Sequence, residues 1–194
     1  MRVIAGEFRS RRLKSIPGLA TRPTPDRLRE TLFDILASRI EGAIFLDAYA
    51  GTGAVGIEAL SRGARHAFFL ERSRAAIEVI RQNLESLGLE ARATVVTGLV
   101  LLTLPRYPAD IVFLDPPYEL DREYTGALDA LSVCLSEPRL SERGPPVAVI
   151  QHSARRMLSE THRNLRRSRL LKQGDNALSF YAVWVGLDGS AGCG

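Results

Sequence analysis

The chain has 194 residues, a length that suits one α/β domain and is short for two. Its hydrophobic content of 45% and charged content of 25% are typical of an ordinary globular protein and argue against a disordered chain. The sequence shows no signal peptide, membrane span, disulfide framework or metal-ligand spacing, since its two cysteines and three histidines are scattered. We therefore expect a cytoplasmic protein with no metal and no membrane segment.

The net charge of +4 conceals a strong segregation of charge along the chain. Residues 1–29 hold eight basic residues against two acids, and residues 151–172 hold seven against one. The segment 30–150 has eleven basic and seventeen acidic residues. Basic ends around an acidic centre favour a polyanion, such as a nucleic acid, bound beside a central site. The simpler interpretation is that the arginines are solvated surface charges.

The N-terminal stretch 2–14 predicts a short hairpin that turns at Gly6 and has a basic second strand. Pro23 and Pro25 then predict an extended approach to a helix, which Thr24 or Asp26 would cap. Arginines flank the start of this helix, where the helix dipole is positive, so an anionic ligand would explain them better than helix stability does.

The segment 47–56 has the strongest pattern in the chain. An apolar run ends at Asp47, a turn contains Gly51-x-Gly53-x-x-Gly56, and a helix pattern follows. A strand, a glycine turn and a helix present free backbone N–H groups to a nucleotide-like ligand, and Glu71 follows at the distance of an acid that binds ribose hydroxyls. The literal fingerprint is that of NAD-binding proteins. An acid four residues before the first glycine instead resembles motif I of S-adenosylmethionine-dependent methyltransferases.

The remaining elements alternate between strand and helix patterns. Helices are predicted over 54–62, 73–87 and 122–136, with a weak helix or loop over 99–105, and strands over 67–70, 93–96, 110–114, 147–151, 165–172 and 177–185. This order predicts a doubly wound parallel sheet that binds its ligand at the carboxyl ends of the strands.

The strand 110–114 leads into Asp115-Pro-Pro-Tyr118. Two prolines cannot continue a strand ladder and hold the chain rigid. The Asp115 carboxylate and the Pro116 carbonyl can both accept hydrogen bonds from one exocyclic amine of a base, while Tyr118 offers a ring for stacking. A plain turn with tyrosine packed over the prolines is the alternative interpretation.

On these residues the chain resembles the bacterial 16S rRNA (guanine-966-N2)-methyltransferase family. The resemblance covers the N-terminal Arg-Val-Ile-Ala-Gly, the segments 22–33 and 47–63, Asp115–Tyr118, and 174–178. It implies a Rossmann-like class I methyltransferase fold, with a seven-stranded, mostly parallel sheet, an antiparallel last strand and a short N-terminal β-hairpin. It also implies S-adenosylmethionine as cofactor and, as partner, 16S rRNA in the small ribosomal subunit or its assembly intermediate. We expect a monomer.

The resemblance also implies roles for particular residues. The expected catalytic residues are Asp115, Pro116 and Tyr118; the expected cofactor-binding residues are Asp47, Gly51, Gly53, Glu71, Thr97 and Asp115; and the expected RNA-binding residues are Arg9, Arg11, Arg12, Arg22, Thr24 and Arg27. Thr97-Gly-Leu departs from the family, which usually has Asn or Asp near the adenine. We expect residues 1–20 to form the hairpin extension, 21–186 the methyltransferase domain, and 187–194 a disordered tail.

Three alternatives stay open at this point. A DNA adenine-N6 methyltransferase would use the same Asp115–Tyr118 segment, although 194 residues leave little room for a target-recognition domain. An NAD-dependent oxidoreductase would fit the literal glycine fingerprint, although no Tyr-x-x-x-Lys accompanies it. The third alternative is an RNA-binding assembly factor with a vestigial cofactor site.

Overall fold

The computed structural model describes residues 1–16, 25–117, 121–135 and 144–184. Within these ranges the helices are α1 Asp26–Ile40, α2 Ala54–Ser61, α3 Arg74–Leu87, α4 Val100–Thr103 and α5 Asp121–Cys134. The strands are β1 Ile44–Ala48, β2 His66–Glu71, β3 Ala93–Thr97, β4 Ile111–Leu114, β5 Val147–Ser153, β6 Thr161–His162, β7 Leu165–Gln173 and β8 Asn176–Val183. Apart from the N-terminal hairpin, the predicted helices and strands therefore form, with small shifts at their ends.

All eight strands belong to one sheet, in the order β3-β2-β1-β4-β5-β8-β7-β6. Strands β1 to β5 pair in parallel, and β8 pairs antiparallel to both β5 and β7. The prediction of a mostly parallel sheet with an antiparallel last strand is confirmed, but the predicted count of seven strands is wrong. The additional strand is β6, a two-residue edge strand too short to produce a hydrophobic period.

The sheet separates two apolar cores. Phe45, Phe113 and Val149 face α1 and α2, and α1 packs on the sheet through the rings of Phe33 and Phe45, whose centroids are 6.0 Å apart. Val112, Leu114 and Ile150 face α4 and α5 on the other side. All four residues of β4 are buried, as expected for a parallel strand covered on both faces.

Residues 1–16, which we call the N-terminal arm, are not a pair of strands. The predicted hairpin is reduced to one isolated antiparallel bridge between Arg2 and Arg12, with a turn between them that includes Gly6 at φ +82°. Val3 and Leu13 are buried in the α1–α2 core. Three backbone hydrogen bonds cross between its two sides, from Val3 to Arg11, from Ser10 to Val3 and from Leu13 to Met1. Between them the N–H groups of residues 4, 5, 7 and 8 bond to α2 instead, so the two sides do not continue as a ladder.

A buried carboxylate fixes the start of the arm. Glu58, in the middle of α2, accepts hydrogen bonds from the backbone N–H groups of Ile4 at 2.8 Å and Ala5 at 3.0 Å. The guanidinium of Arg29, completely buried in α1, donates to the carbonyl oxygen of Arg2 at 2.6 Å, and its Nε lies 3.8 Å from Glu58 Oε2. Buried charges are tolerated when they are paired and hydrogen-bonded, so this cluster joins the arm, α1 and α2.

Candidate active site

The predicted site residues meet at the carboxyl edge of the sheet. β1 lies between β2 and β4, with Ala48 level with Leu70 and Leu114. The glycine loop that follows β1, Glu71 at the end of β2 and Asp115 after β4 therefore leave the sheet at the same height. The backbone N–H of Asp115 donates to the carbonyl oxygen of Ala48 at 3.4 Å, which joins the two loops directly.

Glu71 holds the glycine loop in place. Its Oε2 accepts from the backbone N–H of Gly51 at 2.9 Å, and its Oε1 accepts from the N–H groups of Arg72 and Ser73. Gly51 and Gly53 have φ values of +56° and +78°, which favour glycine. A Cβ placed on Gly51 would meet only one atom, 4.0 Å away, so the loop is open on the side where a ligand would approach.

Asp47 acts inside the loop rather than on its open face. Its side chain is only 2% exposed, and Oδ2 accepts from the backbone N–H of Gly56 at 2.8 Å. Burial raises the pKa of this carboxyl well above its ordinary value. Gly56 itself is needed for packing, because a Cβ there would lie 2.3 Å from the Phe69 ring. Asp47 would therefore act on a cofactor through the loop that it shapes.

The neighbouring loop carries Asp115 and Pro116. Asp115 is partly buried, and desolvation raises its pKa to about 7. Among the described residues none donates a hydrogen bond to its carboxylate, so both oxygens can accept from a ligand. The carbonyl oxygen of Pro116 accepts from the hydroxyl of Tyr124 at 3.4 Å. Tyr118, the third predicted catalytic residue, lies outside the described residues.

Thr97 ends β3 level with Glu71 and is exposed, so it lies at the same edge. The backbone N–H of Gly98 donates to the carbonyl oxygen of Glu71 at 3.2 Å, which fixes the turn after β3. An adenine ring beside Glu71 would find the Thr97 hydroxyl and this backbone. No carboxamide or carboxylate is offered by Thr97-Gly-Leu itself.

Sequence reasoning missed a contact that crosses the site. The hydroxyl of Tyr49, in the glycine loop, lies 2.5 Å from Oε2 of Glu123 in the first turn of α5. Tyr49 has φ +61°, a conformation that is rare for an aromatic residue. Burial and the Glu123 carboxylate both raise the pKa of Tyr49. A tyrosine within a glycine-rich turn was the available signal, but its partner is 74 residues away.

The predicted RNA-binding residues do not gather at this edge. The turn of the N-terminal arm bonds to Ser61, at the end of α2 far from the glycine loop, which places exposed Arg9 there. Exposed Arg11 reaches the Ser86 carbonyl near the end of α3 at 3.5 Å, and Arg12 is exposed at the bridge. Arg27 is exposed in the first turn of α1. Arg22 and Thr24 lie outside the described residues.

The arm nevertheless leads back to the glycine loop. The Asn83 side chain in α3 accepts from the Lys14 N–H at 2.7 Å and donates to the Thr52 carbonyl at 3.0 Å. Further along, Ile16 packs on Ala76 and Val79 near the start of α3.

The capping of α1 differs from the prediction, because its N-cap is Pro25 and no side chain caps it.

The geometry fits S-adenosylmethionine. Gly51 leaves open space beside the loop, Glu71 is partly exposed beside it, and Asp115 can accept from a ligand at the next loop. This combination offers a close backbone approach and a carboxylate for ribose hydroxyls.

In the described residues no group of three or more His, Cys, Asp or Glu side chains could hold a metal ion. None of the described helices is both long and apolar enough to cross a membrane.

Known proteins resemble this chain along nearly its whole length. The family model described as "Conserved hypothetical protein 95" matches residues 1–182. "Putative rRNA methyltransferase YlbH" of Bacillus subtilis is 33% identical over 186 residues, which are 93% of this chain and 98% of that protein. "Ribosomal RNA small subunit methyltransferase D" of Escherichia coli K12 is 42% identical over 119 residues, 61% of this chain and 60% of that protein.

A solved structure extends the likeness to the fold. "Putative methyltransferase yhhF" from Escherichia coli superposes with a TM-score of 0.77 at 32% identity, covering 94% of this chain and 97% of that chain. The α/β methyltransferase fold predicted from the motifs is thereby confirmed. The chain belongs to the "Conserved hypothetical protein 95" family, and the resemblance predicted from its motifs, to the small-subunit 16S rRNA methyltransferases, is confirmed.

Proposed function

We propose that this protein transfers a methyl group from S-adenosylmethionine to the exocyclic N2 of a guanine in 16S rRNA, acting as a cytoplasmic monomer on the small ribosomal subunit or its assembly intermediate. The observation that carries the proposal is the adjacency of two loops. The glycine loop after β1 and Asp115-Pro116 after β4 leave neighbouring strands, and the Asp115 N–H bonds to Ala48 at the last residue of β1.

The names of the relatives support methyl transfer to ribosomal RNA over the hydride transfer of an NAD-dependent enzyme. When bound, the cofactor supplies an electrophilic methyl group on its sulfonium sulfur. Within the protein, Glu71 would accept from the ribose hydroxyls, while Gly51, Gly53 and Asp47 would shape the surface on which the cofactor lies. Thr97, level with Glu71, would lie at the adenine.

Asp115 and Pro116 would hold the target amine. The carboxylate accepts one N–H of the guanine amine and the Pro116 carbonyl accepts the other. The Pro116 oxygen can do so because a carbonyl has two lone pairs and Tyr124 occupies only one. With both protons held, the nitrogen lone pair is directed out of the base plane, and the nearby carboxylate stabilises the positive charge that develops on nitrogen. The proton leaves to solvent afterwards, so no base acts before transfer.

RNA would extend well beyond the active site. Arg9, Arg11 and Arg12 lie on the arm, far from Asp115, where they would bind phosphates of the rRNA rather than the target nucleotide. Arg27, at the start of α1, and Arg22 and Thr24 complete the proposed surface. Substituting Arg9, Arg11 and Arg12 together by Ala should weaken subunit binding and lower its dependence on salt, with the rate of the bound complex unchanged.

The deciding experiment offers labelled S-adenosylmethionine with small subunits from cells that lack this enzyme, and identifies the methylated nucleoside by mass spectrometry. N2-methylguanosine in 16S rRNA supports the proposal, and its loss in Asp115→Asn assigns the reaction to this site. N6-methyladenosine as the product, or label in DNA offered in parallel, would mean that the substrate is an adenine or a DNA rather than a guanine of 16S rRNA. Binding of S-adenosylhomocysteine with no transfer to any of these acceptors would favour an assembly factor.

A further inference from the structure

A groove lies beside the Asp115-Pro116 loop, and the proposed reaction gives it no role. Its volume is about 750 Å3, and it is lined by Tyr124, Thr125, Leu128, Ser153, Arg155, Arg156, Met157, Leu158 and Ser159. α5 forms one wall, and the segment that follows β5 forms the other. A groove of this size has room for one or two nucleotides, since pockets for ligands of drug-like size occupy some 300–1,000 Å3.

The groove adjoins the active site at two points. β5 pairs with β4, with Ile150 level with Leu114, so the segment from Ser153 onward leaves the same carboxyl edge as Asp115. Tyr124 lines the groove and also donates from its hydroxyl to the carbonyl oxygen of Pro116. A ligand in the groove would therefore contact Tyr124, the side chain that also bonds to the loop proposed to hold the target amine.

The chemistry of the walls suits RNA. Among the described residues, none of those that line the groove is acidic, and Arg155 is exposed at its rim. The guanidinium of Arg156 lies over the Tyr124 ring, 4.4 Å from the ring centroid, a cation–π contact that fixes a positive charge in the wall. Met157 is 73% exposed, so its apolar side chain is free to contact a base.

That segment is held firmly. The Tyr181 hydroxyl donates to the Ser159 carbonyl at 2.6 Å, and Arg167 donates to the Leu158 carbonyl at 2.9 Å. The N–H of Ala154 bonds to the Asp175 carbonyl at 2.9 Å, and Leu158 is buried. The segment is thus anchored at both ends, and it presents Arg155 and Met157 outward from a fixed backbone.

We infer that this groove binds the nucleotides that adjoin the target guanosine in the rRNA strand, with Arg155 on a phosphate and Met157 against a neighbouring base. The inference rests on the proposed function, because it takes RNA as the substrate. A base presented singly to Asp115 must be drawn away from its neighbours, and those neighbours need a surface of their own. A polyanion with unstacked bases requires both the positive charge and the apolar contact found here.

A photo-crosslink tests the position of the RNA. Met157→p-benzoylphenylalanine, irradiated with unmethylated small subunits, should crosslink to 16S rRNA within about two nucleotides of the methylated residue, a span set by the size of the groove. The same replacement at Leu102, which is 69% exposed on α4 and outside the groove, is the control. Crosslinks at distant sites, or none while the variant still methylates, would overturn the inference.

A matched pair of charge variants tests the contact. Arg155→Ala should weaken binding of dye-labelled small subunits about tenfold and reduce the salt slope by about one, with the rate of the bound complex within twofold of wild type. Arg169→Ala removes another exposed charge, from β7 and outside the groove, and should change little. Equal effects of the two would refute a specific site. Methyl transfer by wild type, measured alongside, reports separately on the proposed function.

Discussion

The hydroxyl of Tyr49 hydrogen-bonds to the Glu123 carboxylate across 2.5 Å and so ties the glycine loop to the first turn of α5. The residues on its two sides have different proposed tasks, since the glycine loop would contact the cofactor and α5 follows the loop of Asp115. The strained backbone at Tyr49, with φ +61°, is a cost that the contact offsets. The bond would therefore fix the position of the methyl donor relative to the base that accepts the methyl group.

Removing this bond should slow methyl transfer more than it weakens cofactor binding. Tyr49→Phe and Glu123→Ala are each expected to lower kcat about tenfold, because small misplacements of reacting groups carry large costs, while S-adenosylhomocysteine affinity changes less than about threefold. The double variant should be no slower than the slower single variant. Tyr107→Phe, whose ring packs on Phe68 away from the loop, is the control. Multiplicative losses in the double variant would mean that the two side chains act independently.

Methyl transfer should depend on pH through Asp115. Its pKa of about 7 means that the accepting carboxylate predominates only above neutral pH. We expect single-turnover rates to rise from pH 5.5 to about 8 and then level off, with an apparent pKa near 7. Asp115→Asn, which cannot ionise, should give a flat profile at least about a hundredfold lower. A wild-type rate that is constant between pH 5.5 and 7.5 would count against this role.

The same carboxyl should reduce stability at high pH. Between about pH 4 and pH 7 the unfolded chain has an ionised Asp115 while the folded chain retains the proton, so the free energy of unfolding falls as pH rises through this window. A pKa raised from 3.8 to about 7 corresponds to about 4 kcal/mol, of which we expect roughly half because Asp115 is only partly buried. Asp115→Asn should then be more stable than wild type at pH 8 by about 2 kcal/mol, or roughly 4–8 °C in Tm, and nearly equal at pH 4. Thermal unfolding at the two pH values checks this. The exposed Asp34→Asn should show no such change, and a pH-independent gain would rule out ionisation as the cause.

Glu58 should be far more important for stability than a surface acid with a similar partner. Glu58→Gln removes the buried charge between Arg29 and Arg62 and leaves the half-exposed Asp26 to pair with Arg29. It also turns an NH2 group toward backbone donors, so we expect a loss of about 3 kcal/mol, or roughly 6–12 °C in Tm. Asp34→Asn removes an exposed acid 3.9 Å from Arg62 and should cost less than about 0.5 kcal/mol. Similar losses in the two variants would contradict a special role for the buried cluster.

The parts of the fold that local sequence determines were predictable. Strand β4 is apolar throughout because both faces are covered, and the glycine turn requires the φ values found at Gly51 and Gly53. Together with the apolar run that ends at Glu71, these patterns predict that Asp115 and Glu71 lie at one edge of the sheet.

Features that depend on distant residues were not predictable. An acid among the apolar residues of α2 signals that Glu58 is buried, but nothing in the sequence names Ile4 and Ala5 as its partners. Likewise the sequence predicts RNA contact for Arg9 and Arg11, but nothing in it shows that the arm places them near the ends of α2 and α3 that lie away from the glycine loop. The division of the chain at residue 20 and the tail 187–194 stay predictions, and the tail lies outside the described residues.

The sheet order has a consequence for how the protein is made. Of the described strands β8 is synthesised last, yet it lies between β5 and β7. A nascent or truncated chain that lacks it would lose the attachment of β7 and β6 as well and would expose the unpaired edge of β5, whose residues are buried in the native sheet. Unpaired apolar edges promote aggregation. Completion of the sheet must therefore wait until β8 has emerged from the ribosome, and until then β5 lacks one of its two neighbours.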